Sequence, residues 1–182
     1  HMDNCQVLDV RIASLLPELS ELIGGLEGFR EIPQIEVAAG DPDFSDTTFA
    51  LVFRHLQPLA ENDQEKLTAF AAKKGFALYF QPGGMETVHK VFPVGGIDRL
   101  YYRLPEFELT LGFHPTDFTQ VNAEINCKMV SRALELLELV QEDSVLDLFC
   151  GLGNFTLALA RKCGSIIGIE GAQAMVERAS EN

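Results

Sequence analysis

An apolar run that opens directly into a glycine-paired loop restricts this chain's fold more than any other feature. Residues 144–149 (SVLDLF) form a continuous apolar strand pattern broken only by Asp147, and Cys150-Gly151-Leu152-Gly153-Asn154 follow at once. Such a run fits a strand buried in a parallel sheet, where both faces are covered. Glycines at 151 and 153 let the backbone turn sharply and come close to a ligand. Residues 155–162 then read as a helix, 165–170 (SIIGIE) as a second buried strand and 171–180 as another helix. Upstream, residues 121–139 carry the longest helical pattern, with Ile125, Met129, Ala133 and Leu137 spaced four apart on one face. The order helix, strand, helix, strand, helix is the first half of a doubly wound, Rossmann-like α/β domain. Two parallel strands do not complete a nucleotide-binding sheet, and residue 182 falls inside a helical pattern. The chain is therefore expected to be a truncated piece of a longer protein.

The loop also suggests a chemistry. A helix that follows it offers free N–H groups and a positive dipole end, suited to an anionic group such as a carboxylate. Glu170 ends the next strand, nineteen residues beyond Gly151. An acid there can accept hydrogen bonds from the two ribose hydroxyls of an adenosine. S-adenosylmethionine carries both an adenosine ribose and an amino-acid carboxylate, so the arrangement suits it. A dinucleotide fold is the competing reading, but its G-x-G-x-x-G fingerprint wants glycine where this chain has Thr156. A plain structural turn between strand and helix is the third.

The first part of the chain has another character. Residues 8–24 suggest one or two short helices, with Pro17 in a first turn and Gly24-Gly25 as a stop. Residues 32–39, 47–55 and 76–81 read as strands, with a turn cluster at 40–46 and Pro82-Gly83-Gly84 as another turn. Residues 61–74 read as a helix, acidic at the start, basic at the end and stopped by Gly75. Short strands are expected near 86–92, 99–103 and 106–113. This predicts a central α+β domain over residues 3–114, with a largely antiparallel sheet, and the opening of the α/β domain over 115–182.

Charge excludes one role. There are 14 basic residues against 27 acidic ones, a net charge of −13, whereas holding a phosphate backbone takes Lys and Arg to displace its counterions. If the protein acts on RNA, its basic surface lies mostly outside this chain. No stretch is apolar and long enough to span a membrane, and no secretory pattern is present. His1-Met2 reads as a remnant of tag removal. Cys5, Cys127, Cys150 and Cys163 show no CxxC spacing, and reduced thiols in a cytoplasm are expected.

Three runs together, Phe118-Thr-Gln120-Val-Asn122-Ala, Asp147-Leu-Phe-Cys-Gly-Leu-Gly-Asn-Phe-Thr156 and Gly168-Ile-Glu170-Gly171, resemble the RNA uracil-5-methyltransferase family. The nearest branch is the one that methylates 23S rRNA and carries an iron–sulfur cluster. The tRNA branch has Glu-Leu-Tyr-Cys-Gly where this chain has Asp-Leu-Phe-Cys-Gly. The resemblance is specific over residues 105–182. Over 3–104 it rests on Arg54-His55, Pro58-Leu59 and Leu78-Tyr79.

The resemblance implies an S-adenosylmethionine-dependent enzyme that methylates uridine C5. It places Gln120, Phe149, Asn154 and Glu170 against the cofactor, together with Gly151 and Gly153 of the loop. Phe118 falls beside the target base, although a core aromatic is an equal reading, and Gln120 is also a candidate cap for the 121–139 helix. Cys5 matches the later of four cysteines that hold a [4Fe–4S] cluster. Its three partners are not in this chain, so the cluster is expected to be absent here. The family's nucleophile lies in a Ser-Cys-Asn-Pro-like motif and its base lies later still. Neither occurs in this sequence, so the chain alone is expected to be inactive. Cys150, inside the loop, reads as a small packed residue, and Cys127 and Cys163 read as structural. The alternatives are the tRNA paralogue and a non-catalytic interaction module. Strands 145–149 and 166–169, cut off from their neighbours, are expected to favour a homo-oligomer.

Overall fold

The structure, a computed structural model, describes residues 8–43, 48–96 and 98–182. It divides into two units, one of His1–Pro42 with Asp46–Asp98, the other of Asp43–Ser45 with Arg99–Asn182.

The first unit follows the predicted order of elements. Helix α1 (Val10–Ala13) is capped by Asp9, whose side chain accepts the Arg11 amide. Helix α2 (Leu16–Gly24) takes Pro17 in its first turn. Strands β1 (Gln34–Ala39) and β2 (Phe49–Arg54) precede helix α3 (Glu61–Lys74), which begins acidic, ends in Lys73 and Lys74, and stops at Gly75 with φ 70°. Strands β3 (Ala77–Gln81) and β4 (His89–Phe92) complete a sheet of order β1-β2-β3-β4. The sheet is mixed rather than largely antiparallel. β1–β2 and β3–β4 are antiparallel, but β2 and β3 run parallel, because α3 carries the chain back to the starting end of the sheet. Leu51, Phe53, Leu67, Leu78 and Phe80 form the centre of the core. Asp63 on α3 is fully buried, and its carboxylate accepts the Glu27 and Gly28 amides at 2.9 and 2.8 Å.

The second unit begins before the change of sequence character at Pro115. Strands β5 (Leu100–Leu104) and β6 (Leu109–Phe113) form an antiparallel pair. Leu104, Phe107 and Leu111 share a core with helices α4 (Ala123–Leu137) and α5 (Thr156–Leu159). Apolar contact therefore assigns this hairpin to the second unit. Strands β7 (Ser144–Leu148) and β8 (Ser165–Ile169) pair parallel, Ser144 opposite Ser165 through Leu148 opposite Ile169. Helix α6 (Gln173–Glu181) follows. Arg178 on α6 makes a two-pronged ion pair with Asp117, one nitrogen at 2.6 Å. The Asn182 carboxamide pairs with the Gly112 backbone.

Three expectations change here. The helix after the loop is a single turn, and residues beyond it tighten into shorter-range bonds such as Lys162 N–H to Leu159 C=O. The parallel strands are covered on one face, not two. Val145 and Ile166 face the core, while Leu146, Leu148, Ile167 and Ile169 are each at least half exposed. Finally, α4 buries Asn126, Val130 and Leu134, and leaves Ile125 and Leu137 exposed. The buried stripe is one residue round from the one hydropathy selects.

Candidate cofactor-binding site

The parallel pair delivers both motif acids to one end. Ligands of open α/β sheets bind beyond the carboxyl ends of the strands, and the 149–154 loop and Glu170 both lie there. The Cys150 N–H donates to the Ile169 carbonyl at 3.1 Å, which ties the loop to the end of β8. Phe149 adopts φ 62°, Gly151 φ 56° and Gly153 φ 89°. The left-handed region suits glycine, so Phe149 is the strained member. Its ring is 88% exposed.

The missing third glycine has a physical account. Thr156 Oγ donates to the Asp147 carboxylate at 2.5 Å and fixes the first turn of α5 to the end of β7. Close passage is provided by Gly168 on β8, where an added Cβ would lie 2.9 Å from Cys150 Sγ and 3.3 Å from a Thr156 methyl.

The Glu170 carboxylate accepts three backbone amides, from Gly151 at 3.0 Å, Gly171 at 2.8 Å and Ala172 at 3.0 Å. The Ala172 and Gly151 amides hold its carboxyl below the usual range. It therefore stays anionic at neutral pH, and its two oxygens retain acceptor capacity beyond these three bonds.

Asn154 lies deeper in the loop. Its carboxamide exchanges two hydrogen bonds with Asn126 on α4, at 3.0 and 2.9 Å, and accepts the Tyr102 hydroxyl at 3.1 Å. Burial pushes the Tyr102 phenol well above its ordinary value, so it remains a donor. Sequence reading missed Asn126 and Tyr102. The signal was available only as a polar residue interrupting the α4 stripe.

Gln120 and Phe118 lie on the exposed approach to α4, with Phe118 77% exposed. Phe118 is thus not a core aromatic. The cap of α4 is Asn122, whose side chain accepts the Ile125 amide at 3.0 Å, and not Gln120. Burial, and then the charge of Asp147, push the Cys150 thiol up. A protonated thiol packed beside Gly168 suits a structural residue and not a nucleophile. Cys163 is buried and Cys127 half-buried. Cys5 lies outside the described residues. Among the described residues, no three His, Cys, Asp or Glu side chains are grouped to hold a metal, and no helix is long and apolar enough to cross a membrane.

Comparison with known proteins gives this loop a context. The tRNA (Uracil-5-)-methyltransferase family model matches residues 97–182. Across the whole chain, the sequence is 51% identical to the 23S rRNA (uracil(1939)-C(5))-methyltransferase RlmD of Alcanivorax borkumensis and 53% identical to that of Alkalilimnicola ehrlichii. The chain is similar to RNA uracil-5-methyltransferases along its whole length. It spans 40% and 39% of the length of those two relatives. Among solved structures, the Pyrococcus abyssi tRNA (uracil-54, C5)-methyltransferase in complex with S-adenosyl-L-homocysteine aligns with a TM-score of 0.54. Its identity is 18%, over 80% of this chain and 34% of that one. The M. jannaschii tRNA m1G37 methyltransferase aligns at 0.53 with 14% identity, over 92% of this chain and 46% of that one. These structures share the fold of this chain over the aligned residues.

Proposed function

We propose that the full-length protein transfers a methyl group from S-adenosylmethionine to C5 of a uridine in 23S rRNA, and that this chain supplies one side of the cofactor site. The observation that carries the reading is the meeting of the Gly151–Gly153 loop with Glu170 in a chain 51% identical throughout to a 23S rRNA uracil methyltransferase. The residues fit the cofactor. Glu170 is a fixed anionic acceptor for ribose hydroxyls, Phe149 presents an exposed ring, and Gly151 and Gly153 supply the left-handed turns of the loop. Gln120 and the loop residue Asn154 complete the set.

When bound, S-adenosylmethionine supplies an electrophilic methyl group on a sulfonium. Uracil C5 attacks such a methyl only after a thiolate adds to C6, and a base then removes the C5 proton as the thiolate is expelled from C6 and the C5=C6 bond re-forms. Cys150 does not serve as that thiolate, because its proton is retained. The nucleophile and the base belong, in this reading, to the rest of the protein, and this chain alone is inactive. The first unit corresponds to its central α+β domain, and Arg99–Asn182, which includes the β5–β6 hairpin, opens the methyltransferase domain.

The acidic charge of the chain supports an rRNA-holding surface elsewhere in the full-length protein. The protein acts in the cytoplasm, and the piece alone forms a homo-oligomer through its open β7–β8 strands. Cys5 matches a cluster ligand of the family, but one thiolate alone does not hold a [4Fe–4S] group. The tRNA paralogue remains the second reading, favoured by the name of the matched family model. Full-length protein incubated with labelled S-adenosylmethionine and with unmodified 23S rRNA or tRNA separates the two. Label on a 23S uridine is expected. Label on tRNA alone would overturn the assignment.

A further inference from the structure

Asn126 is 3% exposed on a helix whose exposed neighbour Ile125 is the better candidate for burial by hydropathy. Burying a carboxamide is costly unless its hydrogen bonds are replaced. Here they are replaced by one partner. Asn126 Nδ2 donates to Asn154 Oδ1 at 3.0 Å and Asn154 Nδ2 donates to Asn126 Oδ1 at 2.9 Å. Tyr102 from β5 donates to the same Asn154 oxygen at 3.1 Å. Apolar contacts slide, whereas this head-to-head pair has one geometry, so it fixes the rotation of α4 against the loop. Asn154 follows Gly153, whose φ of 89° sets the shape of the loop. The Asn154 carboxamide is turned inward to Asn126 and Tyr102.

We propose that Asn126 is a positioning residue for the cofactor loop, acting with Tyr102 through Asn154. The inference rests on the reading of the loop as an S-adenosylmethionine site. It assigns a role to α4. Loss of the pair weakens cofactor binding and leaves the RNA side of the reaction untouched.

Full-length protein carrying Asn126→Leu, of similar volume, tests this by steady-state methylation of 23S rRNA. The KM for S-adenosylmethionine is expected to rise about tenfold, the usual scale for a buried group left unpaired. The kcat at saturating cofactor and the KM for RNA stay within about twofold of native. The Asn126→Leu, Asn154→Leu double variant is no worse than Asn154→Leu alone, as expected when Asn126 acts only through Asn154. Tyr102→Phe gives a smaller shift of the same kind.

Where Asn126→Leu does not fold, Asn126→Asp replaces it. That side chain keeps the acceptor for Asn154 Nδ2 and loses the donor to Oδ1, so the same split between the two KM values is expected. A native KM for S-adenosylmethionine in the Asn126 variants would overturn the proposal. A parallel loss of kcat, both KM values and melting temperature would also overturn it, since that is a structural effect alone. Native protein that methylates neither RNA nor binds S-adenosylmethionine would overturn the underlying reading itself, a result distinct from the other two.

Discussion

The Glu170 carboxylate accepts the Gly151 amide at 3.0 Å, joining the acid that ends β8 to the first glycine of the loop that follows β7. Two motifs that are nineteen residues apart thus form one site. The bond also has a pH signature. The folded-state pKa of Glu170 is lowered, by the Ala172 amide first and the Gly151 amide next. The tie between loop and strand is therefore fully present above the ordinary glutamate value of about 4.3. It is lost as pH falls through the lower folded value. Amide resonances of Gly151, Gly171 and Ala172 should titrate together, with a midpoint below that of a free glutamate. A midpoint at or above the free value would contradict the geometry.

Gly168 is where β8 passes the loop, and it tolerates no side chain. A Cβ there would stand 2.9 Å from Cys150 Sγ and 3.2 Å from Cys150 Cβ. Gly168→Ala should lower stability by about 1–3 kcal/mol, the usual range for an overpacked contact. Adding Cys150→Ala removes the sulfur and should recover part of that loss. Chemical denaturation of the three variants checks this. Full stability in Gly168→Ala would show that Cys150 moves away freely.

Much of this site was legible because its logic is local. An apolar run, two glycines and an acid after the next strand specify β7, the loop and β8 without reference to the rest of the chain, and the parallel pairing follows. The Phe149 conformation was not legible, since nothing in a phenylalanine announces a positive φ. The α4 face was misread for a physical reason. Hydropathy selects Ile125 and Leu137, but the buried position is Asn126, satisfied by a partner 28 residues away. The parallel pairing of β2 and β3 was equally hidden, because strand direction depends on the path of α3 and not on composition. Helix α5 ends at Leu159, short of its helical pattern, and Gly164 then passes the Gln141 carbonyl, 2.1 Å from where a Cβ would sit.

The open face of the β7–β8 pair should drive self-association of the 182-residue chain. Leu146, Leu148, Ile167 and Ile169 are 56%, 56%, 65% and 50% exposed on one side of two strands. Apolar area removed from water is worth about 25 cal/mol per Å², so covering a few hundred Å² outweighs a modest association cost. The net charge of −13 opposes large aggregates and favours small, defined assemblies. Light scattering over a concentration series should show an oligomer, and Leu148→Lys with Ile167→Lys should shift it toward monomer. A chain that stays monomeric at all concentrations would refute this.

Calorimetric titration of S-adenosylhomocysteine into the full-length protein, native and Glu170→Ala, tests the central claim most directly. The proposed reading makes the loop and Glu170 one side of the cofactor site, so the native protein should bind and Glu170→Ala should bind at least about tenfold more weakly, the scale of a lost charged hydrogen bond. The 182-residue chain, holding only that side, should bind weakly or not measurably, because pockets bury most of their ligand. An affinity unchanged by Glu170→Ala would contradict the assignment of the site.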